Sequence, residues 1–292
     1  MTSSATTGRP ARRSPGQIRL VASDLDGTLL DSHEQVSDRT VATIGRAVAA
    51  GLWVIAATGR QVTQLPPAVL TSGVTHAVGS NGAIAMDLAS GDVLFEAFLA
   101  PEAAADIVAY LTAEFEDVRF SAVRDRGRRH AAEPGYLDLL TPRELRYWAV
   151  EVEDLADIVA QPTLKLTARH PRLSADDLLE VLDASGLSGF HATTSGAPFL
   201  EIGGAGVTKA TGVARLCGLL DVDATEVLAL GDAKNDLELL RWAGIGVAMG
   251  NAVPETIDAA DWMTGSNDAD GVAQAIESVL PEPRADSASL RA

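Results

Sequence analysis

The chain has 292 residues, 47% of them apolar and 22% charged, and a formal net charge of −17. This is the composition of a globular protein with enough material for one large core or two modest ones. Residues 1–16 hold three of the 23 basic residues and none of the 40 acidic ones, so the remainder carries −20, which excludes a surface that as a whole attracts nucleic acid or an anionic membrane.

In chain order, residues 1–16, MTSSATTGRPARRSPG, read as a disordered tail and not as a secretory signal, because no apolar stretch accompanies the arginines. IRLVAS (18–23) reads as a strand and runs straight into Asp24, Leu25, Asp26 and Gly27. Ser37 is placed to cap a helix with Val41, Ile44 and Val48 on one face, closed by Gly51. LWVIAA (52–57) is the next strand, followed by Thr58, Gly59 and Arg60; it is the best apolar run, far short of the about 18 residues of a membrane span. HAVG (76–79) is a third strand, followed by Ser80 and Asn81.

From 83 to 194 the pattern changes. VLFEAF, VRFSAV, YWAVEV, TLKLTA and GFHATT look like half-buried strands, with helices near 101–114 and 174–185, an α+β layer inserted into the α/β body. Within it RDRGRRH (124–130) reads as a solvated hairpin loop, given the acidic body. The α/β pattern then resumes: Cys217 falls in an apolar helical stretch as a plain buried thiol, and VLAL (227–230), IGVAM (245–249) and DWMT (261–264) are further strands. One cysteine excludes an internal disulfide framework and fits a cytoplasmic protein. The expected organisation is a core of 17–82 and 195–280, a cap of 83–194, and a second disordered tail over 281–292. Strands alternating with helices imply right-handed βαβ units, hence a Rossmann-like parallel sheet covered on both faces.

In such sheets ligands bind beyond the carboxyl ends of the strands. Asp24, Thr58, Ser80 with Asn81, and Asp232 with Asn235 and Asp236 all stand at such ends. Acids crowded there repel, by roughly 4 kcal/mol per pair at about 4 Å and an effective dielectric near 20. A divalent cation is the simplest compensation. Oxygen ligands without a neighbouring His or Cys favour Mg²⁺ over zinc, and the five histidines are scattered with no metal spacing.

DLDGTLL, ATGR, the lysine of GVTK, and GDAKND followed by AGIGVAMGNA resemble, in order, the four motifs of the haloacid dehalogenase superfamily. SNGA and SNDADGVA narrow the resemblance to its Cof-type phosphatases, which carry a large α/β cap (C2-type) between the second and third motifs. The resemblance covers about 18–82 and 196–280. It implies that Asp24 is a nucleophile that forms an aspartyl-phosphate, and that Asp26 is the general acid and base. It also implies that Mg²⁺ is held by Asp24, the backbone carbonyl of Asp26, and Asp232. Asn235 and Asp236 then orient the metal's waters or Lys209, while Thr58 and the Gly59 amide hold phosphate oxygens. Lys209 offsets charge on the nucleophile and the transferring group. Arg60 contacts substrate or forms a helix-face ion pair, and Asn81 is a candidate for phosphate binding. One departure stands in the fourth motif: Ala233 replaces its second glycine, a strained choice if that position needs positive φ. Lys234, at a variable position, is expected in solvent.

The expected function is a Mg²⁺-dependent phosphatase of a small phosphorylated metabolite, a sugar phosphate or a nucleotide-like cofactor phosphate. Two rivals use the same residues: a phosphomutase, which returns the phosphoryl group to its substrate, and a non-enzymatic protein that binds a phospho-ligand or is phosphorylated on Asp24. A receiver-like module needs only about 120 residues and no inserted lid, so the length argues against it. A dehalogenase would need neither Asp26 nor a metal cluster.

Overall fold

The structure, a computed structural model, describes residues 17–280 except 142–143 and 148–149; both terminal tails lie outside the described residues. Among the described residues fourteen strands form two sheets. The first runs, in spatial order, β14 (Trp262–Met263), β13 (Ile245–Ala248), β12 (Val227–Gly231), β1 (Leu20–Ser23), β2 (Trp53–Ala57), β3 (His76–Gly79), β4 (Ile84–Asp87) and β5 (Val93–Glu96). All pairings from β14 to β3 are parallel, and β4 and β5 add an antiparallel edge. The second runs β10 (Phe190–Thr193), β11 (Leu200–Gly204), β9 (Lys165–Arg169), β6 (Arg119–Arg124), β7 (Arg129–Ala132) and β8 (Val150–Val152), antiparallel except at β7–β8.

The central strands of the first sheet are apolar throughout because both faces are covered. Val21, Val54 and Leu228 point to one face, against Ile44, Ala47 and Ile276 of flanking helices. Leu20, Ile55 and Ala229 point to the other, against Val213, Leu216 and Leu239. Cys217 lies on that face, and burial pushes its thiol up to about 12, as expected of an inert packed group. The second sheet is two-faced. Phe120, Ala122, Leu166, Ala168, Leu200 and Ile202 pack on the helices Pro101–Glu114 and Ala175–Asp183. Their neighbours Ser121, Lys165, Thr167, Arg169 and Glu201 form a polar face that is nevertheless buried.

The architecture is the expected one, an α/β parallel sheet with an inserted α+β layer, but several elements differ. VLFE belongs to the first sheet: the turn at Asn81–Gly82 returns the chain beside β3, and Phe95 joins that sheet's core. An antiparallel edge hairpin has the same alternation as a strand of the inserted layer, so the pattern cannot separate them. Of the strand expected over YWAVEV, Val150–Val152 is β8 and Tyr147 ends a helical turn, Glu144–Tyr147, started by the mutual capping of Thr141 and Glu144; the two residues between lie outside the described residues. Helix Asp38–Ala49 is capped by Ser37 as expected, yet it buries Thr40, Thr43, Ile44 and Ala47 and leaves Val48 38% exposed. The basic stretch 124–130 is a hairpin, but two of its side chains are buried. Arg124 donates to the Asp157 and Ile158 carbonyls and pairs with Glu153, and His130 Nε2 lies 2.8 Å from Ser121 Oγ.

Burial, aided by nearby Lys165, pulls the His130 pKa down to about 4. The imidazole is therefore neutral in the folded chain and charged in the unfolded one between pH 4 and the ordinary value of 6.5. The unfolded state binds the extra proton, so this residue's stabilisation is full above the ordinary value and is lost as pH falls toward 4, by on the order of 3 kcal/mol. Urea denaturation at pH 7 and pH 4.5 should show a smaller loss of stability for His130→Gln than for the wild type.

Candidate active site

The site lies at the carboxyl ends of β1, β2, β3 and β12, where the chain leaves the sheet and its backbone groups turn outward. Asp24 follows β1 directly and is 5% exposed; its amide still bonds the Leu230 carbonyl of β12, which keeps it in line with the strand. Gly27, at φ +76°, breaks the line, and a Cβ there would come within 2.4 Å of Asp232 Oδ2, so only glycine fits between the first and fourth motifs. Thr28 donates from Oγ1 to Asp232 Oδ1 at 2.8 Å, and Asn251 donates to the Gly27 carbonyl.

Lys209 opens the helix Lys209–Leu220, a poor place for a cation beside the positive end of the macrodipole. Two carboxylates hold it there: its Nζ donates to Asp24 Oδ1 and to Asp236 Oδ1, each at 2.7 Å, with the lysine side chain 0% exposed. Burial alone would lower the Lys209 pKa, but Asp236 and Asp24 more than reverse this and keep the ammonium charged. The other oxygen of Asp236 accepts from the amides of Asp232 and Ala233, closing the fourth-motif turn. Ala233 sits at φ −113°, an ordinary extended conformation, so the alanine carries no strain.

Carboxylate oxygens of Asp24, Asp232 and Asp236 lie within 4.8 Å of one another. Three carboxylates face one ammonium, which leaves two negative charges unbalanced. Burial raises the Asp24 pKa well above its ordinary value, against the pull of Lys209, and pushes Asp232 up to about 6. A hard divalent cation fits this set: the donors are oxygens, the uncompensated charge is two, and Asn235 Oδ1 on the same turn is buried without a hydrogen-bond partner. Both Asp236 oxygens are already engaged, which leaves the carboxylates of Asp24 and Asp232 for such an ion.

The remaining expected residues are distributed around this cluster. Asp26 is not among the clustered acids. Its side chain is 53% exposed, and Arg60 grips it in a two-pronged fork, with bonds of 2.7 and 2.5 Å, while also reaching Glu34 at 3.1 Å. Arg60 stands in a bend and not on a helix, so its pairing with Asp26 and Glu34 is not the helix-face ion pair expected of it. Thr58 is buried after β2, and its Oγ1 accepts the Arg60 amide at 3.0 Å. Asn235 Nδ2 donates to Asn81 Oδ1 at 3.0 Å, which joins the ends of β3 and β12. Lys234 is not merely in solvent: it pairs at 3.0 Å with Asp176 on the inserted layer. Two residues that the sequence reading passed over also reach the site. Lys165 and Glu201 extend from β9 and β11 to Gly59, and the scarcity of lysine, three in 292 residues, was the available signal for the first.

A rim of this kind on a doubly covered parallel sheet, with a second α+β layer above it, defines a hydrolase class, and the family model for haloacid dehalogenase-like hydrolases matches residues 21–276. The chain belongs to that family. It is 30% identical over 244 residues to an HMP-PP phosphatase of Enterobacter sp., covering 82% of this chain and 86% of that one. It is 27% identical over 277 residues to a 5-amino-6-(5-phospho-D-ribitylamino)uracil phosphatase of Bacillus subtilis, covering 91% and 97%. A solved sugar phosphatase of haloacid dehalogenase subclass IIB, BT4131, superposes with a TM-score of 0.78 at 20% identity, covering 90% of this chain and all of that one, and shows the shared fold. No helix among the described residues is long and apolar enough to cross a membrane.

An asparagine at 236 would set its NH2 against either the Lys209 ammonium or the Asp232 and Ala233 amides, which leaves one of these buried donors without its acceptor and opens the fourth-motif turn. Asp236→Asn should therefore lower the urea midpoint by an amount equivalent to roughly 3 kcal/mol. An unchanged midpoint would mean that Asp236 does not hold the ammonium in solution.

Proposed function

We propose that the protein is a cytoplasmic, Mg²⁺-dependent phosphatase of small phosphorylated metabolites that works through an aspartyl-phosphate on Asp24. The observation that carries this reading is the Asp24 carboxylate, buried at the end of β1, clamped by Lys209 and set within 4.8 Å of Asp232, in a haloacid dehalogenase-like chain. Sugar phosphates and nucleotide-like cofactor phosphates are the substrate classes in view, in keeping with the relatives named above.

The Asp24 carboxylate, one oxygen of which is fixed by Lys209, is the attacking group. It forms a bond to phosphorus as the bond to the leaving alcohol breaks, and Asp26 gives the departing oxygen its proton. In the second half Asp26 takes a proton from water as that water attacks the phosphorus, which frees inorganic phosphate and restores the Asp24 carboxylate. Asp26 stands at the solvent edge; to act it leaves the Arg60 fork, in which both its oxygens accept, takes up a proton from solvent and turns to the substrate oxygen. Thr58 Oγ1 accepts the Arg60 amide and so keeps its own proton for a phosphate oxygen; the Gly59 amide is the second donor. Lys209 stays charged against the negative charge of the transferring group. Asp24 and Asp232, with the Asp26 carbonyl, would hold the Mg²⁺, Asn235 would orient its waters, and the bound ion would offset charge between carboxylate and phosphoryl group. The inserted layer faces this rim and would set specificity.

A panel of phosphorylated metabolites should release free phosphate, which a phosphomutase would not, and excess EDTA should abolish the release. Turnover that survives EDTA would remove the metal from the reading. Asp24→Asn should give no turnover and no phosphoenzyme. Asp26→Asn, given p-nitrophenyl phosphate, should accumulate an adduct of about 80 Da, because a good leaving group needs little protonation whereas dephosphorylation still needs a base. Near-normal rates in both variants would leave the two acids with no chemical role.

A further inference from the structure

Between the two sheets lies a buried ion pair that the four motifs do not include. Lys165 on β9 and Glu201 on β11 are 7% and 3% exposed and stand on the polar face of the second sheet. Lys165 Nζ donates to Glu201 Oε1 at 2.7 Å and, across the gap between the sheets, to the Gly59 carbonyl at 2.8 Å. That carbonyl belongs to the peptide unit joining Gly59 to Arg60, and the N–H of the same unit donates to Thr58 Oγ1 at 3.0 Å. The plane of one peptide is thus held at both ends, by the second sheet through its oxygen and by the Thr58 hydroxyl through its nitrogen. Rotating it would withdraw the N–H from Thr58 Oγ1 and free that oxygen to spend its proton elsewhere. The approach is close: a Cβ on Gly59 would lie 3.0 Å from Glu201 Oε1 and 3.2 Å from Asn81 Oδ1.

We propose that Lys165 and Glu201 are positioning residues for the phosphate-binding turn. Lys165 fixes the Gly59–Arg60 peptide so that the Thr58 hydroxyl points its proton at a phosphate oxygen, beside a Gly59 amide whose own peptide is held by the Asn81 N–H on the Thr58 carbonyl, and Glu201 fixes Lys165. The turn is then complete only while the second sheet is seated on the first, which makes phosphate affinity depend on the inserted layer without that layer touching the phosphate. The proposal rests on the phosphate-binding role given above to Thr58 and Gly59. A buried ion pair is weak evidence of a stability role, since an apolar pair of similar volume often serves as well or better. The bond to a main-chain carbonyl of the other sheet is what an apolar pair could not replace.

The test separates binding from folding. Inorganic phosphate is titrated as a competitive inhibitor of p-nitrophenyl phosphate hydrolysis and, independently of turnover, as a ligand by calorimetry, both with saturating Mg²⁺. Lys165→Met should weaken phosphate binding about tenfold or more and raise KM by a similar factor, with a smaller change in kcat, and Lys165→Arg should recover part of the loss. Because the single variant leaves the Glu201 carboxylate buried without its cation, the double variant Lys165→Met, Glu201→Leu is the decisive one: it should melt near the wild-type temperature and still bind phosphate about tenfold more weakly. A folded double variant that binds phosphate within about twofold of the wild type overturns the proposal. Phosphate binding that depends on the pair in a wild-type protein that hydrolyses no phosphomonoester would instead overturn the phosphatase reading and leave the positioning role standing.

Discussion

The Lys209 ammonium, fully buried between Asp24 and Asp236, is the interaction on which the first sheet's functional end depends. An uncompensated charge of this kind is too costly to bury, so the carboxylates must be where they are for the helix Lys209–Leu220 to start where it does. Asp24 ties the cation to β1, and Asp236 ties it to the turn after β12, so three segments far apart in sequence are cross-braced at one nitrogen. The cluster overshoots in negative charge, because Asp232 lies beside the pair with no second ammonium. A fold concerned only with stability would not collect a third carboxylate there. The surplus is the physical reason why this cluster could hold a metal ion.

The second sheet is organised by the same economy of buried charge. One face is apolar and packs on its own helices; the other is polar, buried, and turned toward the rim. Burial pushes the Glu201 carboxyl up, and Lys165 more than offsets this, holding it below its ordinary value. Lysine is scarce, and all three lysines converge on this region: Lys209 in the acid cluster, Lys165 at Gly59, and Lys234 bridging to Asp176. A compact ammonium with three rotatable donors suits a point where one cation must serve two acceptors from different segments, whereas a planar guanidinium suits the flat fork seen between Arg60 and Asp26.

Legibility of the site followed the range of the interactions. Asp24, Thr58, Asn81 and Asp232 could be placed because each stands just beyond a short apolar strand, and strand ends of a parallel sheet face one way. Asp26 was legible as an acid two residues on, but its Arg60 partner was not settled, since 34 residues separate them and either a substrate or an acid could satisfy a guanidinium. The edge hairpin β4–β5 was read into the wrong layer because alternation reports a half-buried strand and not the sheet that half-buries it. Ala233 was read as a possible strain site, and only the backbone angle shows that the turn there is extended.

The α/β class, the family, the strand-end positions of the motif residues and the charged groups available for chemistry can all be read from the chain alone. These are local properties: period, apolar run length, and spacing within a few residues. Tertiary structure alone decided which oxygen of Asp236 holds Lys209 and which closes the turn. It also decided that Asp26 is paired with Arg60 outside the acid cluster, and that Lys165 and Glu201 reach across to Gly59 from the other sheet. Pairings of that kind depend on the register and stacking of two sheets. Lys165 and Gly59 are 106 residues apart, and no local pattern encodes which carbonyl a buried ammonium will meet.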